Sequence, residues 1–156
     1  MLKYLQNLQK RVQTVKSDLP ERISKVAEKR NLRERLAELN RENLLKGLDS
    51  EGGQMPYYAN TDYGYEKLRI NPRNGGRWDL KNTGQFHKGI TVTIVKTKIK
   101  FKQRYKNKKI DWLDRRLEDR FGGNKALGVP KKQYEAEFER IIPKIRVEII
   151  IFLRGV

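Results

Sequence analysis

The sequence predicts an α+β fold: N-terminal helices, a long loop, a small antiparallel β-sheet or hairpin, and C-terminal helices packed on it. Three observations carry that prediction. Apolar residues recur at three- and four-residue spacing through the first 46 positions, the period drops to two at Ile90, and helical spacing returns after Pro130. With 156 residues, 37% of them apolar and 35% charged, one domain with a modest core is expected. Within it, residues 1–46 read as a helical arm and residues 47–156 as the body.

The first helix is read from Leu5, Leu8, Val12 and Val15, with Lys3, Lys10, Arg11 and Lys16 outside the stripe. Ser17-Asp18-Leu19-Pro20 is expected to interrupt it, with Pro20 in the first turn of a second helix that reaches Lys46. The apolar stripe of that second helix is thin: Ile23, Val26 and Ala27, then Leu32, Leu36 and Leu39, then Leu44 and Leu45. A helix so polar packs one side on a neighbour, and in an assembly that neighbour can be another subunit, which makes Leu32, Leu36 and Leu39 candidate subunit contacts. Gly47 is placed to end the helix.

Residues 48–78 read as a loop with four tyrosines (Tyr57, Tyr58, Tyr63 and Tyr65). A loop this long inside a small domain points to a functional or partner-contact segment. Two readings of the tyrosines stand side by side. They pack the loop onto the body with wet hydroxyls, or they stack on bases or on a neighbouring subunit, with Tyr57, Tyr58 and Tyr63 the candidate contacts.

From Ile90, alternation of Ile90, Val92 and Ile94 with Thr91, Thr93 and Val95 marks a strand. The next run places Lys96, Lys98, Lys100, Lys102, Arg104, Lys106 and Lys108 at every second position, with Ile99, Phe101 and Tyr105 between. Residues 96–109 hold eight basic residues and no acid. As a strand, this puts cations on one face at a spacing of ~6.6–6.8 Å. Such a row either protects a sheet edge or faces phosphate or an acidic ring of another protein. Residues 110–121 read as a short helix with Trp112, Leu113, Leu117 and Phe121 inward, ended by Gly122-Gly123-Asn124. The last helix, 131–153, carries Tyr134, Phe138, Ile141, Ile145, Ile149 and Phe152 on one stripe, with Pro143 expected to bend or break it.

The formal net charge of +17 argues for an anionic partner. Without cysteine, disulfides, thiolate-ligated zinc and thiol nucleophiles are excluded, which suits assembly in a reducing cytoplasm. The N-terminus has no apolar stretch of signal-peptide length, and Ile149-Ile-Ile-Phe-Leu is far too short to span a bilayer, so a soluble protein without membrane contact is expected.

Signals for reaction chemistry are weak. The single histidine, His87, cannot supply a multi-histidine metal site and is expected at the surface or as a cap. Gly52-Gly53-Gln54 matches the reactive tripeptide of peptidyl-tRNA hydrolysing release factors, but its flanks, Asp49-Ser-Glu and Met55-Pro-Tyr, do not, and an acid-glycine turn accounts for it. Asp111, Asp114, Glu118 and Asp119 are interleaved with Arg115, Arg116 and Arg120, as on a salt-bridged helix surface. No enzyme, metal site or cofactor is expected.

The order of motifs in the middle is more informative. Leu44-Leu-Lys-Gly-Leu-Asp-Ser-Glu-Gly52 comes first, then Tyr57-Tyr58 and Tyr65-Glu-Lys67, then Asp79-Leu-Lys-Asn-Thr-Gly-Gln-Phe86. This series resembles the virion morphogenesis proteins of tailed phages, variously termed tail completion, neck or head–tail connector proteins. In them a Gly-Ile-Asp-x-x-Gly phrase precedes a Tyr/Lys loop, and a Leu-x-x-Thr-Gly-x-Phe/Leu turn launches a β-hairpin. The matching positions are Gly47, Asp49, Gly52, Tyr65, Lys67, Leu80, Thr83, Gly84 and Phe86, with Phe121-Gly122 and Leu127-Gly-Val resembling the closing segment. The resemblance spans about residues 40–145. It implies a structural role in the virion, made in the bacterial host cytoplasm: a homo-oligomeric ring between portal or neck and tail proteins, with DNA passing through the lumen. A small basic nucleic-acid-binding protein is the alternative. In the family reading, Gly84 permits the turn that places Phe86 in the core, and Gly47 ends the helix before the loop.

Overall fold

Two long helices and a two-stranded ribbon surround the core in the computed structural model, which describes residues 2–29, 31–95, 98–104, 115, 118–119 and 125–154. The elements are α1 (Leu2–Lys29), α2 (Leu32–Leu45), α3 (Asp62–Ile70), a 3-10 turn (Pro72–Asn74), α4 (Gln85–Gly89), β1 (Ile90–Val95), β2 (Lys98–Gln103) and α5 (Lys131–Arg154). This is the α+β architecture the sequence predicts. The predicted helix over 110–121, with Trp112, Leu113, Leu117 and Phe121, lies outside the described residues, as do Lys96, Tyr105, Lys106 and Lys108.

The helix boundaries differ from expectation. α1 runs through Pro20, and the break falls at Asn31, which takes left-handed backbone angles (φ 51°). A proline inside a helix costs ~3 kcal/mol by removing one donor and crowding the preceding turn. Here the helix on both sides of it is held by packing, since Val15, Val26 and Ala27 are buried. Asparagine tolerates the left-handed region better than its neighbours Arg30 and Leu32 would. α2 then buries Leu32, Leu36, Ala37, Leu39 and Leu44 and closes before Gly47, whose φ of 69° suits the position after a helix end.

These α2 leucines join Phe86, Ile90, Val92, Ile94 and Ile141 in one cluster. Residues 32–45 are therefore part of the body and not of a separate arm. Leu32, Leu36 and Leu39 are at most 8% exposed, so they cannot serve as subunit contacts. Burying each such side chain stabilises the fold by about 1.5–3 kcal/mol, which is the reason the thin stripe turns inward.

The predicted 48–78 loop contains a helix. Thr61 caps α3 through a hydroxyl that accepts the Gly64 N–H at 3.3 Å, Asp62 sits at its positive end, and Lys67 and Arg69 lie in its last turn. Glycine at position 64 hid this helix in the sequence. It is required because a Cβ there would collide with the Ala59 carbonyl.

β1 and β2 pair antiparallel in the register Ile90↔Gln103, Val92↔Phe101, Ile94↔Ile99, with Thr91↔Lys102, Thr93↔Lys100 and Val95↔Lys98 between. Cross-strand partners share a face, so the first set turns inward toward α2 and the second outward. Arg41 of α2 fastens the ribbon's base, donating to the carbonyls of His87 at 2.8 Å and Ile90 at 3.1 Å.

α5 continues as a helix across Pro143 without a break. Asn43 pairs with Gln133, Arg35 with Glu137, and Arg22 lies over the Phe152 ring, so the α1–α2 path runs antiparallel along α5.

Candidate functional site

The outer face of the ribbon carries a row of exposed cations. Lys98, Lys100 and Lys102 are exposed on it beside Thr91, Thr93 and Val95, and exposed Arg104 continues the row as its N–H bonds the Gly89 carbonyl at 2.8 Å. Ile99 and Phe101 point the other way and pack against the core. The alternation read from the sequence is thus realised for Lys98, Lys100, Lys102 and Arg104. Among the described residues, none of these four has an ion-pair partner, although Lys25, Arg35, Lys125 and Arg140 each pair with a glutamate.

A second, buried site lies beneath α3 and centres on Asp79, which is 2% exposed. Its Oδ1 accepts from the Tyr58 hydroxyl at 2.8 Å, from the Lys81 N–H at 3.0 Å and from Lys67 Nζ at 3.4 Å, while Oδ2 accepts from the Asn71 amide at 3.2 Å. Lys67 also donates to the Lys81 carbonyl and lies 5.7 Å from the ring centroids of both Tyr58 and Tyr63. The Asp79 carbonyl accepts from His87 Nε2 at 2.7 Å. Between Asp79 and Lys81, Leu80 is held at φ 52° with its side chain in the core.

These contacts set the protonation of the cluster. Burial alone would raise the Asp79 carboxyl, but the Lys81 N–H, the Tyr58 hydroxyl, the Asn71 amide and the Lys67 charge together hold it below the usual carboxylate range. Burial, and then the Asp79 charge, push the Tyr58 hydroxyl upward, so it remains a donor. Burial lowers His87, keeping it a neutral imidazole whose Nε2–H the carbonyl accepts. The expectation of a surface or capping role for His87 is corrected: it is 7% exposed and joins the α4 turn to Asp79. Tyr58, Lys67 and Asp79 fall within the ordered motifs of the sequence, but nothing there marks them and His87 as one hub, because they meet only through the fold.

Comparison of the chain with family models, with curated proteins and with solved structures finds no match.

The other singled-out residues have structural duties. Asp49 Oδ1 accepts the N–H groups of Glu51 and Gly53, so Gly52-Gly53-Gln54 is an acid-glycine turn. Gly84 has φ 78° and opens α4, which carries Phe86 into the core at 5% exposure; Thr83 accepts the Gln85 N–H at 3.5 Å. Tyr57 lies under Arg77, 4.1 Å from the ring centroid, and Tyr58 meets Tyr63 edge-on at 5.6 Å. Tyr65 remains 63% exposed. Three of the four tyrosines are therefore engaged with the chain's own cations and are not aligned as a stacking platform. Among the described residues, no group of three His, Cys, Asp or Glu side chains is placed to hold a metal ion, and no helix is long and apolar enough to cross a membrane.

Proposed function

We propose that the chain is a non-enzymatic structural protein of a tailed-phage virion, a subunit of a ring at the neck, head–tail connector or tail-completion layer. Beyond the ordered motifs, one observation carries this reading: both long helices keep apolar side chains in water after the single-chain core is complete. On α1 these are Leu2, Tyr4 and Leu5; on α5 they are Val147, Ile150 and Ile151. Single exposed apolar residues are ordinary, but groups at helical spacing on two helices favour faces that are covered in an assembly. Head-to-tail contacts between unlike faces close into rings when the rotation allows. Exposed Tyr57, Tyr65, Leu68 and Ile70 around α3 offer a further contact surface. In this reading the partners are further copies of the chain together with portal, neck and tail proteins.

Mass photometry and negative-stain imaging of the purified chain test the proposal. Ring oligomers, or binding to portal or tail components, are expected, and Leu5→Glu combined with Ile150→Glu should reduce assembly while leaving the circular dichroism spectrum intact. A chain that stays monomeric and binds neither component sinks the reading. The second reading, a small basic nucleic-acid-binding protein, is favoured by the ribbon's outer face.

A further inference from the structure

We propose that the outer face of β1–β2 is a sequence-independent binding site for the phosphate backbone of duplex DNA. The inference goes beyond the ring reading and does not depend on it.

Four observations lead to it. The first is charge without compensation: no acidic residue occurs between Asp79 and Asp111, and Lys98, Lys100, Lys102 and Arg104 have no ion-pair partner among the described residues. The second is chemical type. Among the described residues the face consists of the Lys98, Lys100 and Lys102 ammonium groups, the Arg104 guanidinium and two threonines, with Val95 its only apolar side chain. A protein partner is normally met by aromatic or aliphatic anchors, and lysine is depleted where proteins meet. The third is the absence of aromatic residues from the described face, since Phe101 packs inward and Tyr57, Tyr58 and Tyr63 are held elsewhere. Single-stranded nucleic acid is gripped by stacking platforms, which this face lacks, so the duplex backbone is the better fit.

The fourth is shape. A two-stranded ribbon is narrow enough to lie along a major groove about 12 Å wide. Its core side is anchored on α2 and its lysines are free to reach phosphates. Lysines and hydroxyls on phosphates position a protein without reading bases, so unrelated sequences should bind alike.

The test is anisotropy of the full chain on two labelled duplexes of unrelated sequence, on a single strand and on polyglutamate, each across a salt series. The chain is compared with K98Q/K100Q/K102Q and with K3Q/K10Q/K16Q, which removes the same charge from α1. Each lost phosphate contact lowers the log–log salt slope by about 0.9, so the ribbon variant should lose about 2.7 of slope. Equivalently, the unaltered chain should weaken about 40-fold more than that variant between 50 and 200 mM salt. Equal affinity for both duplexes, a much smaller slope change in the α1 variant, and recovery by K98R/K100R/K102R are expected.

The proposal is overturned by equal slope losses in the two glutamine variants, by tighter binding to the single strand or to polyglutamate, or by no duplex binding at physiological salt. Oligomeric state, measured on the same samples, reports on the ring reading separately.

Discussion

Lys67 and Lys100 carry the same charged group into opposite surroundings. Lys67 is buried against a carboxylate, a backbone carbonyl and the faces of two tyrosines, whereas Lys100 stands in solvent in a row of like charges. A buried ammonium is tolerated only when its desolvation is offset by partners, so Asp79, Tyr58 and Lys81 converge there. The row on β2 has no desolvation to offset and, among the described residues, no ion-pair partner. The chain has 19 acidic residues against 36 basic ones, and Asp79, joined to the α4 turn through His87, is committed inward. The two regions separate charge that holds the fold from charge that is left available to a partner.

The largest effect that would sharpen this comparison is Asp79→Ala. Removing the carboxylate strands a buried ammonium and should cost about 3–5 kcal/mol in denaturant melts. A loss below about 1 kcal/mol would break the contrast, by placing Lys67 effectively in water.

Tyr58→Phe comes next. It deletes one hydrogen bond to a charged group and should cost about 1.5–3 kcal/mol in the same measurement, with the ring contact to Tyr63 kept.

The pH response follows, and its sign is fixed by the two depressed groups. Folding holds His87 below its ordinary 6.5, so unfolded chains bind the proton first and stability declines as pH falls through that value toward the folded-state pKa. Asp79 adds a contribution present above its ordinary 3.8 and lost as pH falls through its lower folded value. Thermal melts should therefore weaken between pH 7 and pH 5, and His87→Gln, which keeps a donor for the Asp79 carbonyl, should flatten that interval. An unchanged slope in the variant would assign the response elsewhere, although His87 is the only histidine in the chain.

The smallest effect on the fold is expected from K98Q/K100Q/K102Q, within about 0.5 kcal/mol per site in the melts. A large loss of stability there would mean that the row is structural after all.

How much of this was legible in the sequence follows the range of the interactions. β1, β2 and the inward stripe of α5 are written in local periods of two and near four, so Ile90, Phe101 and Ile141 fall where alternation puts them. The turn glycines were legible too, because Gly47 and Gly84 need backbone angles that other residues avoid. Pro20 misled because its local penalty is outweighed by packing with α5, which no local window contains. α3 is hidden in the sequence because Gly64 and the tyrosines look like loop residues until the close approach of Ala59 is known. The Asp79 hub was illegible as a hub, since Tyr58, Lys67 and His87 lie 8 to 21 positions from Asp79 and no local pattern says that they meet. The lysine row was visible, but that Lys98, Lys100, Lys102 and Arg104 have no ion-pair partner among the described residues required the fold.

The two Arg41 hydrogen bonds set a direction as well as a contact. By gripping the carbonyls of His87 and Ile90, Arg41 ties the root of the ribbon to α2, and α2 is packed along α5. The ribbon therefore has no swivel of its own at that root. In any assembly built through the long helices, the bearing of the lysine row relative to the assembly axis is inherited from how those helices pack. A change at a distant helix contact would re-aim the charge without altering a single lysine.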